Sequence, residues 1–185
     1  MKEMLHLILG CMFSGKSTEL IRQIKIYKMG GKKVVTITNS IDDRYGKDIS
    51  THDGKNITPD FRVKSLMPLV SDKIITESDI IFIEEGQFFN DIVDFCKLVV
   101  DKLGKSVVIS ALDGDYERKP FKPISDLISI SDNITKLKAI CLECSKDNIM
   151  SDALFSKRIT NTKGQQLVGG SETYKAVCRK HFNIN

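Results

Sequence analysis

The sequence has no tryptophan, only four prolines, and no block of five charges of one sign. With 12 glycines in 185 residues and no compositional period, it cannot be a collagenous, low-complexity or disordered chain. Long apolar stretches are also missing. The apolar runs are of the order of Ile80-Ile81-Phe82-Ile83, whereas a bilayer span takes about 18 residues or more, so no membrane helix is expected. Near the amino terminus, Glu3 sits in the head segment and Leu5–Leu9 is too short for the apolar stretch of a secretory leader. A cytoplasmic protein is expected, in which the sequons Asn56-Ile57-Thr58 and Asn133-Ile134-Thr135 carry no glycosylation meaning. The charge is nearly balanced, 28 basic against 24 acidic residues, and scattered, which speaks against a nucleic-acid-binding stripe.

What is present is an ordinary globular composition, 41% hydrophobic and 28% charged. At roughly 100–200 residues per domain, the length allows one main domain and a small appendage. Apolar runs of strand length, at Leu5–Leu9, Lys33–Thr38, Asp79–Ile83 and Ser106–Leu112, with a fifth at Lys136–Ile140, alternate with helical patterns. Strands covered on both faces read as continuous rather than alternating apolar runs, so a parallel sheet is expected. Ser17–Lys28 carries Leu20, Ile21, Ile24 and Tyr27 at helical spacing, and Asp91–Lys102 carries Ile92, Phe95, Val99 and Val100. The polar stretch from Asn39 to Asp60 is long for a plain connection and reads as a functional loop or a small hairpin excursion. Composition shifts again at Cys141, which sets the expected domains at 1–140 and 141–185.

Gly10-Cys11-Met12-Phe13-Ser14-Gly15-Lys16-Ser17 follows a predicted strand, opens a predicted helix and fills every fixed position of G-x-x-x-x-G-K-[ST]. A chain turning tightly from strand to helix aims successive amides into one concavity, and the helix dipole adds positive potential. Lys16 then reaches the β and γ phosphates, Ser17 ligates Mg²⁺, and the cradle runs from Gly10 to Thr18. Such a site needs an acid at the end of a neighbouring apolar strand. Glu84 and Glu85, after Ile80–Ile83, supply it, and on an extended chain their side chains point to opposite sides.

The five cysteines are unevenly placed. Cys141-x-x-Cys144 and Cys178-x-x-His181 offer three thiolates and one imidazole, a closed set for structural Zn²⁺. Cys11 and Cys96 read as buried apolar-like residues, and His6 and His52 as structural rather than catalytic.

These motifs, together with Glu84-Glu85-Gly86-Gln87-Phe88-Phe89, Ala111-Leu112-Asp113-Gly114-Asp115-Tyr116-Glu117-Arg118-Lys119-Pro120-Phe121 and Leu167-Val168-Gly169-Gly170, come in the order found in the type II thymidine kinases, small cytosolic deoxynucleoside kinases. The resemblance runs from about residue 4 to 182, nearly the whole chain. It implies an α/β fold, a P-loop NTPase-type parallel sheet flanked by helices, with a small C-terminal zinc-binding lasso over the nucleoside. The reaction implied is transfer of the γ-phosphate of ATP to the 5′-hydroxyl of thymidine, or of deoxyuridine, in nucleotide salvage. By the same resemblance Gly10, Met12, Phe13, Ser14, Gly15, Lys16, Ser17 and Thr18 bind ATP phosphates. Glu84 takes the magnesium-associated position, where family members generally carry Asp. Glu85 matches the base that takes the hydroxyl proton. Asp42 and Arg44 match a loop near the triphosphate. Met12, Phe88, Leu112, Tyr116 and Phe121 match the nucleoside pocket, Tyr174 the aromatic laid against thymine, and Ser156 with Leu167, Val168 and Gly169 the loop that reads the base. Phe88, Tyr116 and Phe121 are equally ordinary core residue types. A homotetramer and inhibition by thymidine triphosphate are implied too. The rival reading is a P-loop ATPase whose zinc ribbon, with Arg179 and Lys180, binds nucleic acid. A GTPase lacks its N-K-x-D motif here.

Overall fold

Six strands form one all-parallel sheet in the computed structural model, which describes residues 3–41, 49–50, 56–161, 164–165 and 169–184. They are β1 (Leu5–Gly10), β2 (Val34–Asn39), β3 (Phe61–Val63), β4 (Ile80–Ile83), β5 (Ser106–Ala111) and β6 (Asn133–Leu137), lying side by side in the order β3-β2-β4-β5-β1-β6. The period of two along each strand sorts the core into two layers. Leu5, Leu7, Val35, Ile37, Ile81, Ile83, Val107 and Ile109 face one way and pack on Phe89, after the turn that follows β4, and on Phe95, Val99, Ile124 and Leu127 from the helices at Ile92–Lys102 and Lys122–Ile128. Ile8, Ile80, Phe82 and Val108 face the other way, onto Leu20 and Ile24 of α1 (Lys16–Met29). Burial on both faces is why these strands read as unbroken apolar runs.

Several boundaries differ from the sequence reading. The edge strand β3 and the helix Lys122–Ile128 were not expected. The fifth expected strand begins earlier, at Asn133, and stops at Leu137, because β6 is an edge strand with a mostly exposed surface and little apolar signal. Asp132 fixes its start by accepting the Leu5 amide at 2.8 Å, and His6 on β1 meets Thr135 at 2.9 Å. The second expected helix is present, but beyond Cys96 it widens over Lys97–Lys102, where the Leu103 amide donates to the Leu98 carbonyl five residues back. Within the 39–60 stretch, Ile49–Ser50 pairs antiparallel with Asn56–Ile57, the hairpin alternative.

After β6 the chain builds a small C-terminal assembly. Ala139–Ile140 pairs antiparallel with Asp152–Ala153, and Phe155–Arg158 with Tyr174–Val177. Two five-residue helices, Leu142–Lys146 and Arg179–Asn183, flank these ladders. Among the described residues no helix is long and apolar enough to cross a membrane.

Candidate active site

β1 delivers the chain into the loop at its C-terminal edge, and α1 leaves from it. Gly10 cannot be larger, since a Cβ there would lie 2.6 Å from the Leu137 carbonyl oxygen and 2.6 Å from Ser14 Oγ. Gly15, the residue before α1, adopts φ 82°, a left-handed conformation that costs glycine little. The Cys11 carbonyl accepts from Ser14 Oγ at 2.8 Å and from Lys16 Nζ at 2.9 Å, so the lysine folds back over its own loop. Ser17, in the first turn of α1, donates to Glu84 Oε1 at 2.5 Å.

That contact is made across an intervening strand. The expected position for the acid was a strand next to β1, but β5 lies between β1 and β4. Ser110 on β5 donates to Glu84 Oε2 at 2.9 Å, so one carboxylate ties three elements together. Burial raises the Glu84 carboxyl to about 7, and the neighbouring Glu85 charge adds to the rise, against hydrogen bonds from Ser17 and Ser110 that favour ionisation. A carboxyl whose folded pKa lies above its unfolded value near 4.5 stabilises the fold fully below that value and loses this contribution as pH rises through about 7. Glu84→Gln is therefore expected to raise the stability of the metal-free protein at pH 8 by about 1–3 kcal/mol, with the gain gone by about pH 4. Urea melts of both proteins across this range measure it, and an equal midpoint at pH 8 would contradict it.

Glu85 does not continue the strand. It adopts φ 53° and ψ 47°, uncommon for a residue with a side chain and costing on the order of 1–3 kcal/mol. The chain then turns through Gly86–Phe88. Gly86 is obligatory, because a Cβ would come within 2.5 Å of Ile109 Cγ2. The two carboxylates are thus parted by a turn, not by strand alternation. Gln87, 1% exposed, donates through Nε2 to Glu85 Oε2 and accepts the Leu112 amide at 3.0 Å. Asn39, at the end of β2, donates to the Phe88 carbonyl at 3.2 Å. Sequence reasoning gave Gln87, Asn39 and Ser110 no role. Gln87 carried a signal, a polar residue in an otherwise apolar turn beside two acids, while Asn39 and Ser110 are identifiable only once the strands are ordered.

Met12, Phe88, Phe121 and Tyr174 are buried, and Leu112 and Tyr116 half-buried. Phe121 belongs to the main core with Ile124 and Leu127, and Leu112 packs against that core. The Arg158 guanidinium, which sequence reasoning missed, lies 3.7 Å from the Tyr116 ring centroid and donates to the Tyr174 hydroxyl at 2.7 Å, bridging two residues far apart in sequence. Asp115 is 5% exposed and accepts the Glu117 and Lys119 amides at 2.8 Å each, which shapes the loop that carries Tyr116. Ser156 stands on Phe155–Arg158 opposite Ala176, and its hydroxyl accepts the Met12 amide at 2.9 Å. Gly169 is buried, with Thr173 so close that a Cβ would lie 2.4 Å from its Oγ1. A cleft of about 190 Å³ lies between the Asp113–Arg118 loop and Leu154–Ser156, with Lys136 on its wall; of the expected nucleoside residues that are described, only Ser156 lines it. Asp42, Arg44, His52, Leu167 and Val168 lie outside the described residues.

Cys141, Cys144, Cys178 and His181 converge, with all four candidate ligand atoms within 4.8 Å of one another. His181 Nδ1 lies 3.5, 3.4 and 3.5 Å from the sulfurs of Cys141, Cys144 and Cys178, and Cys144 Sγ lies 3.9 Å from Cys178 Sγ. A tetrahedron built on Zn–S of about 2.3 Å and Zn–N of about 2.0 Å has edges of roughly 3.5 Å (N···S) and 3.8 Å (S···S). The donor set and its spacing fit Zn²⁺. Cys11 and Cys96, 2% and 1% exposed, are buried as expected.

A profile of the thymidine kinase family matches residues 3–182. The thymidine kinase of sheeppox virus (strain KS-1) is 47% identical over 178 residues, covering 96% of both chains. That of vaccinia virus (strain Western Reserve) is 44% identical with the same coverage, and that of myxoma virus (strain Uriarra) 43% identical over 182 residues, covering 96% of this chain and 95% of its own. Among solved structures, the flagellar accessory protein FlaH from Methanocaldococcus jannaschii shares the fold at a TM-score of 0.51 and 13% identity, over 73% of this chain and 71% of that one. With a glycine-bearing strand-to-helix loop bonded to an acid on a parallel sheet, a Cys/His cluster beyond it, and relatives matching along nearly their whole length, the chain belongs to the thymidine kinase family.

Proposed function

We propose that the protein transfers the γ-phosphate of ATP to the 5′-hydroxyl of thymidine, and of deoxyuridine, giving the monophosphate for nucleotide salvage and DNA synthesis. Beyond family membership, one observation carries this reading: the two adjacent acids have different surroundings. Glu84 is buried and bonded to Ser17 of the phosphate loop, whereas the left-handed turn at Glu85 takes its carboxylate to Gln87, whose own side-chain oxygen accepts the Leu112 amide. One acid serves the phosphate side and the other the hydroxyl that attacks.

In this reading the amides from Ser14 to Thr18 and the α1 dipole bind the phosphates, and Lys16 leaves the Cys11 carbonyl to meet the charge that develops on the transferring group. Ser17 and Glu84 are hard oxygen donors that would hold Mg²⁺ once the hydrogen bond between them opens from 2.5 Å to the about 3 Å separating neighbouring ligands of that ion. Bound with the nucleotide, that ion supplies charge neutralisation at the β and γ oxygens. Glu85 accepts the proton of the 5′-hydroxyl as the new bond to phosphorus forms. Asp42 and Arg44 attend the triphosphate. Met12, Phe88, Leu112, Tyr116 and Phe121 hold the nucleoside, with Tyr174, Ser156 and Leu167–Gly169 at the base. We assign residues 1–140 to the kinase domain and 141–185 to the lasso, and expect a cytoplasmic homotetramer inhibited by thymidine triphosphate.

The nucleic-acid reading finds little support in the C-terminal cations. Arg179 lies 5.0 Å from the Phe155 ring centroid, and Lys175 pairs with Glu143 at 2.7 Å. Phosphate transfer from ATP to a nucleoside panel, with and without magnesium, tests the proposal. Thymidine is expected to be phosphorylated in a magnesium-dependent way and cytidine not. Hydrolysis of ATP indifferent to every nucleoside, but stimulated by DNA, would refute it.

For the cluster, one Zn²⁺ per chain is expected to co-purify, and Cys144→Ser to speed hydrogen exchange over 141–181 while the sheet keeps its protection, since metal affinity here is local folding energy. Elemental analysis of protein prepared without chelators is the direct check. A metal-free protein with the same protection pattern would remove the site.

A further inference from the structure

Three consecutive residues of the phosphate loop are held by the C-terminal assembly. Cys11 lies in the apolar cluster formed by Ala139, Cys141, Ala153, Ala176 and Val177, and Phe13 packs against the same cluster. The Cys11 thiol donates to the Ala153 carbonyl at 3.5 Å. Between these two residues the Met12 amide donates to Ser156 Oγ at 2.9 Å, a buried bond that spans 144 residues of sequence. The Cys11 carbonyl, fixed by these contacts, is the acceptor for both Ser14 Oγ and Lys16 Nζ.

We propose that Ser156 is a positioning residue of the phosphate loop, setting the loop's conformation for ATP from the C-terminal side before any nucleoside binds. This rests on the reading of the loop as an ATP site and adds a role to the base contact assigned to Ser156 above. The physical reason is that a buried amide is strongly disfavoured without an acceptor. If the hydroxyl is removed, the loop must either leave Met12 unsatisfied or shift until that amide finds another partner, and a shift moves the Cys11 carbonyl and the lysine resting on it. Binding of phosphate by several aligned groups is sensitive to displacements of this kind.

The test is ATP binding measured calorimetrically without thymidine, on the wild type, Ser156→Ala and Ser156→Thr, with hydrogen exchange followed at the Met12 amide. Ser156→Ala is expected to bind ATP about five- to twentyfold more weakly, with faster exchange at Met12. Ser156→Thr, which keeps the hydroxyl on a strand that favours β-branched residues, is expected to restore both. A residue that only touches the base would leave ATP affinity unchanged and alter the thymidine KM alone, and that result would overturn the proposal. Should Ser156→Ala fail to fold, the Met12 amide of the wild type decides: protection supports the bond, and exchange at the rate of an open loop refutes it. A wild type that binds no ATP refutes the kinase reading and this proposal with it, whereas equal binding by wild type and Ser156→Ala refutes this proposal alone.

Discussion

Glu85→Gln is expected to lower kcat by roughly 10²–10⁴-fold while the thymidine KM stays within about threefold of wild type. An amide is almost the same shape as a carboxylate and still hydrogen-bonds the 5′-hydroxyl, so binding persists. It cannot take the proton, so the attacking oxygen stays a poor nucleophile. The fold is expected to tolerate the change, because Gln accepts from Gln87 Nε2 through its own carbonyl oxygen and suits the turn at φ 53° no worse than Glu. Glu84→Gln is the necessary contrast. It too loses activity, but its largest defect is expected at low magnesium and is partly relieved as magnesium rises. Glu84→Asp, which restores the side chain usual in the family, is the mildest of the three. A magnesium titration at saturating thymidine distinguishes them. Rescue of Glu85→Gln by excess magnesium, with Glu84→Gln remaining dead, would reverse the two roles.

Lys16→Ala is expected to cost a factor on the order of 10³ or more in kcat/KM, since it removes a preorganised cation from the place where charge develops, in a site partly shielded from water. Stability should change little. In the structure the ammonium is half-buried and bonded to the Cys11 carbonyl, which retains Ser14 Oγ as a second donor. Ser17 and the first turn of α1 remain. Single-turnover kinetics and a thermal melt on the same sample separate the effects. Near-normal turnover by a folded Lys16→Ala protein would remove the phosphate loop from the mechanism.

The elements legible in the sequence are those whose physics is local or repeated. β1, β2, β4 and β5 were found within a residue or two because central parallel strands are apolar on both faces, and α1 because its apolar positions keep helical spacing. The Cys/His tetrad was legible from pairwise spacing alone, and its ligand atoms do converge. What escaped notice depends on arrangement. β3 is three residues long at a sheet edge, and β6 is an exposed edge, so neither needs an apolar run. The order of strands leaves no local trace, which is why Glu84 was expected beside β1 and is instead reached across β5 by way of Ser110. The turn at Glu85 was missed because Glu is an unusual residue in the left-handed region; only the following glycine hinted at it. Arg158 gained its role through Tyr116 and Tyr174, partners that no spacing rule connects to it.

The bond from Met12 to Ser156 also bears on how the protein is made. The two residues are 144 positions apart, and at about 5–20 residues per second of synthesis the loop amide waits roughly 7–30 s for its acceptor. β1 waits as well, since its neighbours begin at Ser106 and Asn133. Until Ser106 is made, a central, largely apolar strand has neither neighbour available, a condition that favours aggregation and chaperone binding. The loop at Gly10–Ser17 is thus among the last parts of the molecule to be completed, and a chain truncated before residue 156 carries the whole motif but lacks the serine that accepts the Met12 amide.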